Sequence, residues 1–213
     1  MRPGLRTFVL TAHVATAVGW LGAVAAFLVL AVAALIGRDA LTVRGACVAM
    51  ALTAWFAILP LSLASLLTGV IQSLGTPWGL VRHYWVLAKA VLASLATAVL
   101  LLKLPAVRDL AQIATASPTL GDDLVSLVRS LAAHAAGGLL VLLATTALGV
   151  RKPPGLTPWG ARRYARAVAG QPWADAPGWA KGLAIAVGLL GLLIGVMVLG
   201  GGHGPGAHRR PPG

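Results

Sequence analysis

TFVLTAHVATAVGWLGAVAAFLVLAVAALIG, Thr7 to Gly37, is 31 residues without a single Asp, Glu, Lys or Arg. A helix rises 1.5 Å per residue and a bilayer core is roughly 30 Å thick, so about 20 such residues cross it. Four further charge-free runs follow: Gly45 to Val81 (37 residues), Ala90 to Leu102 (13), Ser130 to Val150 (21) and Gly182 to Ala207 (26). The third is short by itself. It reaches spanning length with its neighbours, because a Lys one turn inside a span, here Lys89, can extend its amine to the headgroups. The reading is an all-α integral membrane protein, a helical bundle of five transmembrane helices at roughly 8 to 36, 46 to 72, 84 to 104, 127 to 150 and 181 to 200.

Composition agrees with the runs. Of 213 residues, 58% are hydrophobic and only 10% charged, and the mean hydropathy is +0.87, which excludes an ordinary soluble domain. The formal charge of +12 sits between the apolar runs. Nucleic acid is therefore not expected as a partner, since no basic domain large enough to read a groove lies outside the spans. Arg2 and Arg6 before an apolar run containing Ala23-Val24-Ala25 also resemble a cleavable signal peptide. The run continues to Ile36, so an uncleaved signal anchor is predicted. Five spans place the N-terminus and the loops after helices 2 and 4 on one side, with nine Lys and Arg against seven on the other. Positive-inside counting makes that side cytoplasmic. The expected location is a bacterial cytoplasmic membrane, multi-pass, with the N-terminus inside. Cys47 is the chain's lone cysteine, which rules out an intramolecular disulfide or a CxxC motif.

The expected organisation is a four-helix membrane core over 1–150, a cytoplasmic loop with a basic interfacial helix over 151–180, a fifth transmembrane helix over 181–200 and a disordered tail over 201–213. Two connections share a motif. Thr76-Pro77-Trp78-Gly79 and Thr157-Pro158-Trp159-Gly160 are each followed by Arg and Tyr, and both read as interfacial helix starts on the same side. From Thr157 to Gly170 a short amphipathic helix, with Arg162, Arg163 and Arg166 near one face, would lie along anionic lipid. In the fifth span Ala184, Gly188, Gly191 and Gly195 form a small-residue stripe suited to helix packing, within the chain or in a homo- or hetero-oligomer through Gly188, Gly191 and Gly195. His203 and His208 in the tail have no further ligand near them.

Ionisable groups inside spans are costly and mark function. They are His13, Lys89 and His134, with Gln72, Ser62, Ser65 and Thr68 as softer candidates. His13, Thr16, Trp20 and Phe27 fall near one helix face, and Trp85 and Lys89, four apart, are surface neighbours suited to a cation–π or snorkelling pair. His134 lies among Ala132, Ala133, Ala135, Ala136, Gly137 and Gly138, which leave room for a helix or a flat cofactor. Opposed helix directions put His13 and His134 roughly 15 to 20 Å apart in depth. They are thus separate metal candidates. The feasible inner cluster is His13, His83, Lys89 and Gln72, although His83 at a span end also reads as a headgroup-facing residue.

His13 followed by Trp20-Leu21-Gly22, then Trp85-x-x-x-Lys89-x-x-Leu92, resembles the helix patterns of the CopD-type copper resistance membrane domain and of the HemJ-type protoporphyrinogen oxidase family. The stretch Leu74 to Leu92 further resembles a bacterial multipass family known as a domain of unknown function. The resemblance covers roughly residues 8 to 104. It implies a four-helix core with a haem b or copper site, His13 as an axial haem or copper ligand, Lys89 paired with a propionate or an anionic substrate group, and Trp20 and His83 nearby. With three Met the chain has no Met-rich copper stripe, and it adds a fifth helix. The expected function is accordingly a multipass membrane protein with a CopD-like or HemJ-like core. The alternative is a non-catalytic membrane scaffold or accessory subunit. A transporter is disfavoured, because neither paired inverted repeats nor a broken-helix pair is present.

Overall fold

The computed structural model describes residues 3–76, 78–116, 121–152 and 154–168. These form α1 (Pro3–Ile36), α2 (Ala40–Thr53), a π-helical turn (Ala54–Ile58), α3 (Leu59–Leu74), α4 (Tyr84–Ala116), α5 (Asp122–Arg151) and α6 (Pro158–Val168). α2, the π turn and α3 are continuous, so four long helices result, each long and apolar enough to cross a membrane. The predicted fifth span, the tail and residues 169–180 of the predicted loop lie outside the described residues.

The helices are bounded by local chemistry. Asp39 caps α2 by accepting the Thr42 N–H at 2.8 Å. α5 begins with Asp122 and Asp123 and ends with Arg151, charges that complement the helix dipole at both ends. It stops where Lys152 turns left-handed at φ 44° and returns its N–H to the Leu148 carbonyl. In the π turn the Leu59 N–H reaches back five residues to the Ala54 carbonyl.

α1 packs on the α2–α3 rod and on α5, and α4 packs on the same two. Short connections make neighbours antiparallel, giving an up-and-down four-helix bundle. The end carrying the start of α1, the end of α3, the start of α4, the end of α5 and α6 is called proximal here, and the opposite end distal. α1 runs unbroken past Ala23-Val24-Ala25 and buries Phe27, Ala31 and Ala34 beyond that point.

Packing is uneven along the bundle. Distally the interior is apolar: Phe27 and Ala31 of α1 meet Cys47 and Met50 of α2, Leu104 and Leu110 of α4, and Val128 of α5. Proximally the buried positions turn polar, with Ser62, Ser65, Thr97 and Thr145 all inside. The outer surface is apolar, and Phe8, Val29, Phe56, Leu67 and Leu140 are all more than 60% exposed. Charge counting ends this helix near 104, but α4 continues through Pro105 to Ala116. The reason is a three-to-four spacing of buried residues, Leu104, Val107, Leu110 and Ala114, which keeps one face in the core after charges reappear on the other.

Candidate functional site

The proximal interior gathers the polar residues. His13 of α1 lies against α3, its Nδ1 3.1 Å from the Ser65 carbonyl and 3.2 Å from Thr68 Oγ1. A carbonyl can only accept, and the Thr68 hydroxyl already donates to the Ala64 carbonyl at 2.7 Å. Nδ1 therefore carries the proton and shares it between the two oxygens, leaving the Nε2 lone pair as the ring's available ligand. Gly69 permits the close approach: a Cβ there would stand 3.0 Å from His13 Cε1.

Lys89 crosses from α4 to α5, where its Nζ lies on the bare backbone of Gly149. A Cβ at that glycine would be 2.8 Å from the ammonium. The ammonium acts electrostatically on His13 and feels Lys152 in turn. No carboxylate joins them. The four described acidic residues, Asp39, Asp109, Asp122 and Asp123, all belong to the distal ends of their helices. One turn before Lys89, on the same face of α4, Trp85 Nε1–H is buried with no hydrogen-bond partner among the described residues, and so is Gln72 Oε1 at the end of α3. Trp85 Nε1–H is thus left without an acceptor, and Lys89 beside it without a carboxylate partner, among the described residues.

A lid closes this end. Thr157 caps α6 by accepting the Gly160 N–H at 3.1 Å, while its hydroxyl donates to the Val81 carbonyl at 2.6 Å and its own N–H to the Arg82 carbonyl at 2.9 Å. His83 and Leu156 pair as an antiparallel bridge. The two Thr-Pro-Trp-Gly segments are therefore at the same end, as expected, and the loops that carry them pair. Only the second starts a helix. The first is a turn with Gly79 at φ 60°, and α4 begins at Tyr84. Burial, with Arg163 nearby, lowers the Arg82 guanidinium from its usual range.

No family model, curated protein or solved structure matches the chain. The site thus stands on its own geometry.

Several sequence expectations change. His83 does not join His13: its Nδ1 donates to the Trp78 carbonyl at 2.8 Å and its ring sits edge-on to Trp78, in the loop before α4. Trp85 and Lys89 share a face but form no cation–π pair. Trp85 packs edge-on against Trp78 at 5.6 Å, and the cation over Trp78 is Lys152 at 5.8 Å. Trp20 shares His13's helix face yet is two turns further on, buried to 3% exposure in a different chamber. That chamber, an apolar space of about 560 Å³ between α4 and α5, is lined by His134 and Lys103 but not by His13, so the two histidines occupy separate places. His134 donates from Nδ1 to the Ser130 carbonyl at 2.7 Å, one turn back on its own helix. No group of three His, Cys, Asp or Glu able to hold a metal occurs among the described residues.

Proposed function

We propose that this chain is a multipass integral membrane protein of the bacterial cytoplasmic membrane, its proximal end inside, whose four-helix core receives an anionic group at Lys89 and Trp85 with His13 beside them. The observation that carries the reading is the buried Trp85 Nε1–H, without an acceptor among the described residues and one turn from Lys89 on the same face of α4, within a bundle that is apolar outside and polar inside at that end. A soluble protein has the opposite arrangement. An ammonium between apolar-surfaced helices with no carboxylate partner among the described residues is expensive, and a bound carboxylate or phosphate would offset that cost.

A CopD-like or HemJ-like core is part of the proposal, and its two cofactors fare differently. Copper does not fit the described residues, because none of them places a second soft or imidazole ligand beside His13, and Cys47 and Met50 are in the distal core. Haem b suits the donor set: His13 Nε2 would hold the iron while the Nδ1–H tether to Ser65 orients the ring, as second-shell carbonyls do for ligating histidines. Lys89 would meet a propionate. When bound, such a group would supply one-electron chemistry.

Titration of purified full-length protein with metal-free protoporphyrin and with haem tests the reading. Wild type should bind both. Lys89→Gln should weaken both at least about tenfold, the scale of one charge-assisted contact. His13→Ala should remove only the haem Soret band. A wild type that binds neither, or a Lys89→Gln variant that binds as well as wild type, would overturn it. The scaffold alternative predicts instead a co-purifying partner that is lost when Gly191 and Gly195 become Leu, with His13→Ala silent.

A further inference from the structure

The chamber between α4 and α5 has a second, independent design. Trp20 and Phe27 of α1 form its floor, Leu95 of α4 and Gly138 of α5 its walls, and Lys103 and His134 also border it. Its volume of about 560 Å³ falls within the ordinary range of ligand cavities. Gly138 leaves the α5 wall open, since a Cβ there would meet nothing within 4 Å.

Lys103 and His134 stand at the same depth: Lys103 is 13 residues from the distal end of α4 and His134 is 12 from the distal start of α5. Beyond them charge first appears among the exposed positions of these two helices, with Arg108 and Asp109 on one and Asp123 and Arg129 on the other, while Val29, Val32 and Ile36 keep the α1 surface apolar toward the same end. On the α4–α5 face, read as lying in a membrane, that first charge is where headgroups would begin. The chamber therefore has a cation at its polar mouth and an apolar body reaching toward the middle of the bundle.

We propose that this chamber holds an acyl chain of an anionic phospholipid of the distal leaflet, with the phosphate at Lys103. The proposal rests on the membrane reading above and is independent of the His13 site. Lys103 makes no ion pair among the described residues, and the nearest acidic residue on its helix, Asp109, is six positions further on, about 9 Å along the axis. His134, whose Nδ1–H is engaged by Ser130, presents Nε2 as an acceptor for a headgroup hydroxyl. The rival occupant is the chain's own apolar segment 181–200. It contains neither Asp nor Glu and would leave Lys103 without a counter-charge.

The test reconstitutes the full chain in vesicles of equal phosphatidylglycerol and phosphatidylcholine, extracts it in mild detergent and weighs the retained lipid by native mass spectrometry. Wild type should keep phosphatidylglycerol over phosphatidylcholine about fivefold, the effect of one interfacial cation. Lys103→Gln should bring the ratio near unity and Lys103→Arg should restore it. Gly138→Leu, which fills open space, should reduce retention of both lipids. A wild type without preference, or a Lys103→Gln variant that keeps it, overturns the proposal. So does a high-yield disulfide between Gly138→Cys and Gly191→Cys in a Cys47→Ala background, because that seats the chain's own segment in the chamber. Alkaline carbonate extraction separates the two levels: release of the chain overturns the membrane reading, whereas retention without lipid preference overturns the chamber alone.

Discussion

Gly160→Ala is the smallest change that reaches the junction of α6 with the bundle. A Cβ at this position would fall inside van der Waals contact with the Arg82 carbonyl oxygen and 3.1 Å from the carbonyl carbon and Cα of the same residue. Those are backbone atoms and cannot rotate away, so α6 must retreat. Retreat breaks the bond from the Thr157 N–H to the Arg82 carbonyl at 2.9 Å and that from the Thr157 hydroxyl to the Val81 carbonyl at 2.6 Å. At about 0.5 to 1.5 kcal/mol each, their loss amounts to about 1 to 3 kcal/mol, a rise of about 5- to 150-fold in the undocked population. Amide exchange at Gly160 and Ala161 measures it, supported by faster tryptic cleavage at Arg162. Gly137→Ala is the control, since a Cβ there meets nothing within 4 Å. Unchanged exchange in Gly160→Ala would refute the close approach and with it the pairing of the two loops.

Other substitutions probe the interior. Lys89→Met should raise the melting temperature, by about 1 kcal/mol or more of stability, because an uncompensated ammonium is replaced by a side chain of similar length, while the same protein loses anion binding. A melting point at or below wild type would show that Lys89 is already neutralised. Gly69→Ala should push the imidazole off α3 by a few tenths of an ångström and cost about 1 kcal/mol through the 3.1 Å bond to Ser65, read from the nitrogen-15 signals of His13. Identical spectra would contradict the packing. The Thr42 N–H holds the Asp39 carboxyl below its ordinary 3.8. Depressed in the folded state, this group contributes fully above 3.8 and loses its contribution as pH falls through and below that value. Amide exchange at Thr42 should accelerate across that window, and Asp39→Ala should abolish the dependence.

Charge-free runs made the four long helices legible because an uninterrupted apolar stretch has few alternatives. Their ends were less so. Leu104, Val107, Leu110 and Ala114 extend the bundle through a region where Arg108 and Asp109 face outward, and only the three-to-four spacing records it. His13 and Lys89 were legible as costly residues, and the structure brings them within electrostatic range. Angle alone says nothing of depth: Trp20 returns to the face of His13 about 10 Å further along. The segment before His83 looks like a helix start, whereas Gly79 at φ 60° makes it a turn that holds the imidazole on the Trp78 carbonyl. The partners of His13 had a usable signal: Ser62, Ser65, Gly69 and Gln72 recur every three or four residues, one small or polar stripe along α3.

The π turn ties the site to chain length. From Met50 the buried positions step by four three times, to Ala54, Ile58 and Ser62, a drift of about 120° on an ideal helix that the wider winding takes up. The π turn holds one residue more than an ordinary turn, so winding the same five residues as ordinary helix would rotate everything after them by about 100°, the angle of one residue. Ser65 and Thr68 would swing away from the imidazole although every side chain at the site remained. Removing one residue together with the wide turn would restore the phase, so length and winding across this stretch must change together, and that coupling is a signature by which chains sharing this site can be told from chains that share only its apolar runs.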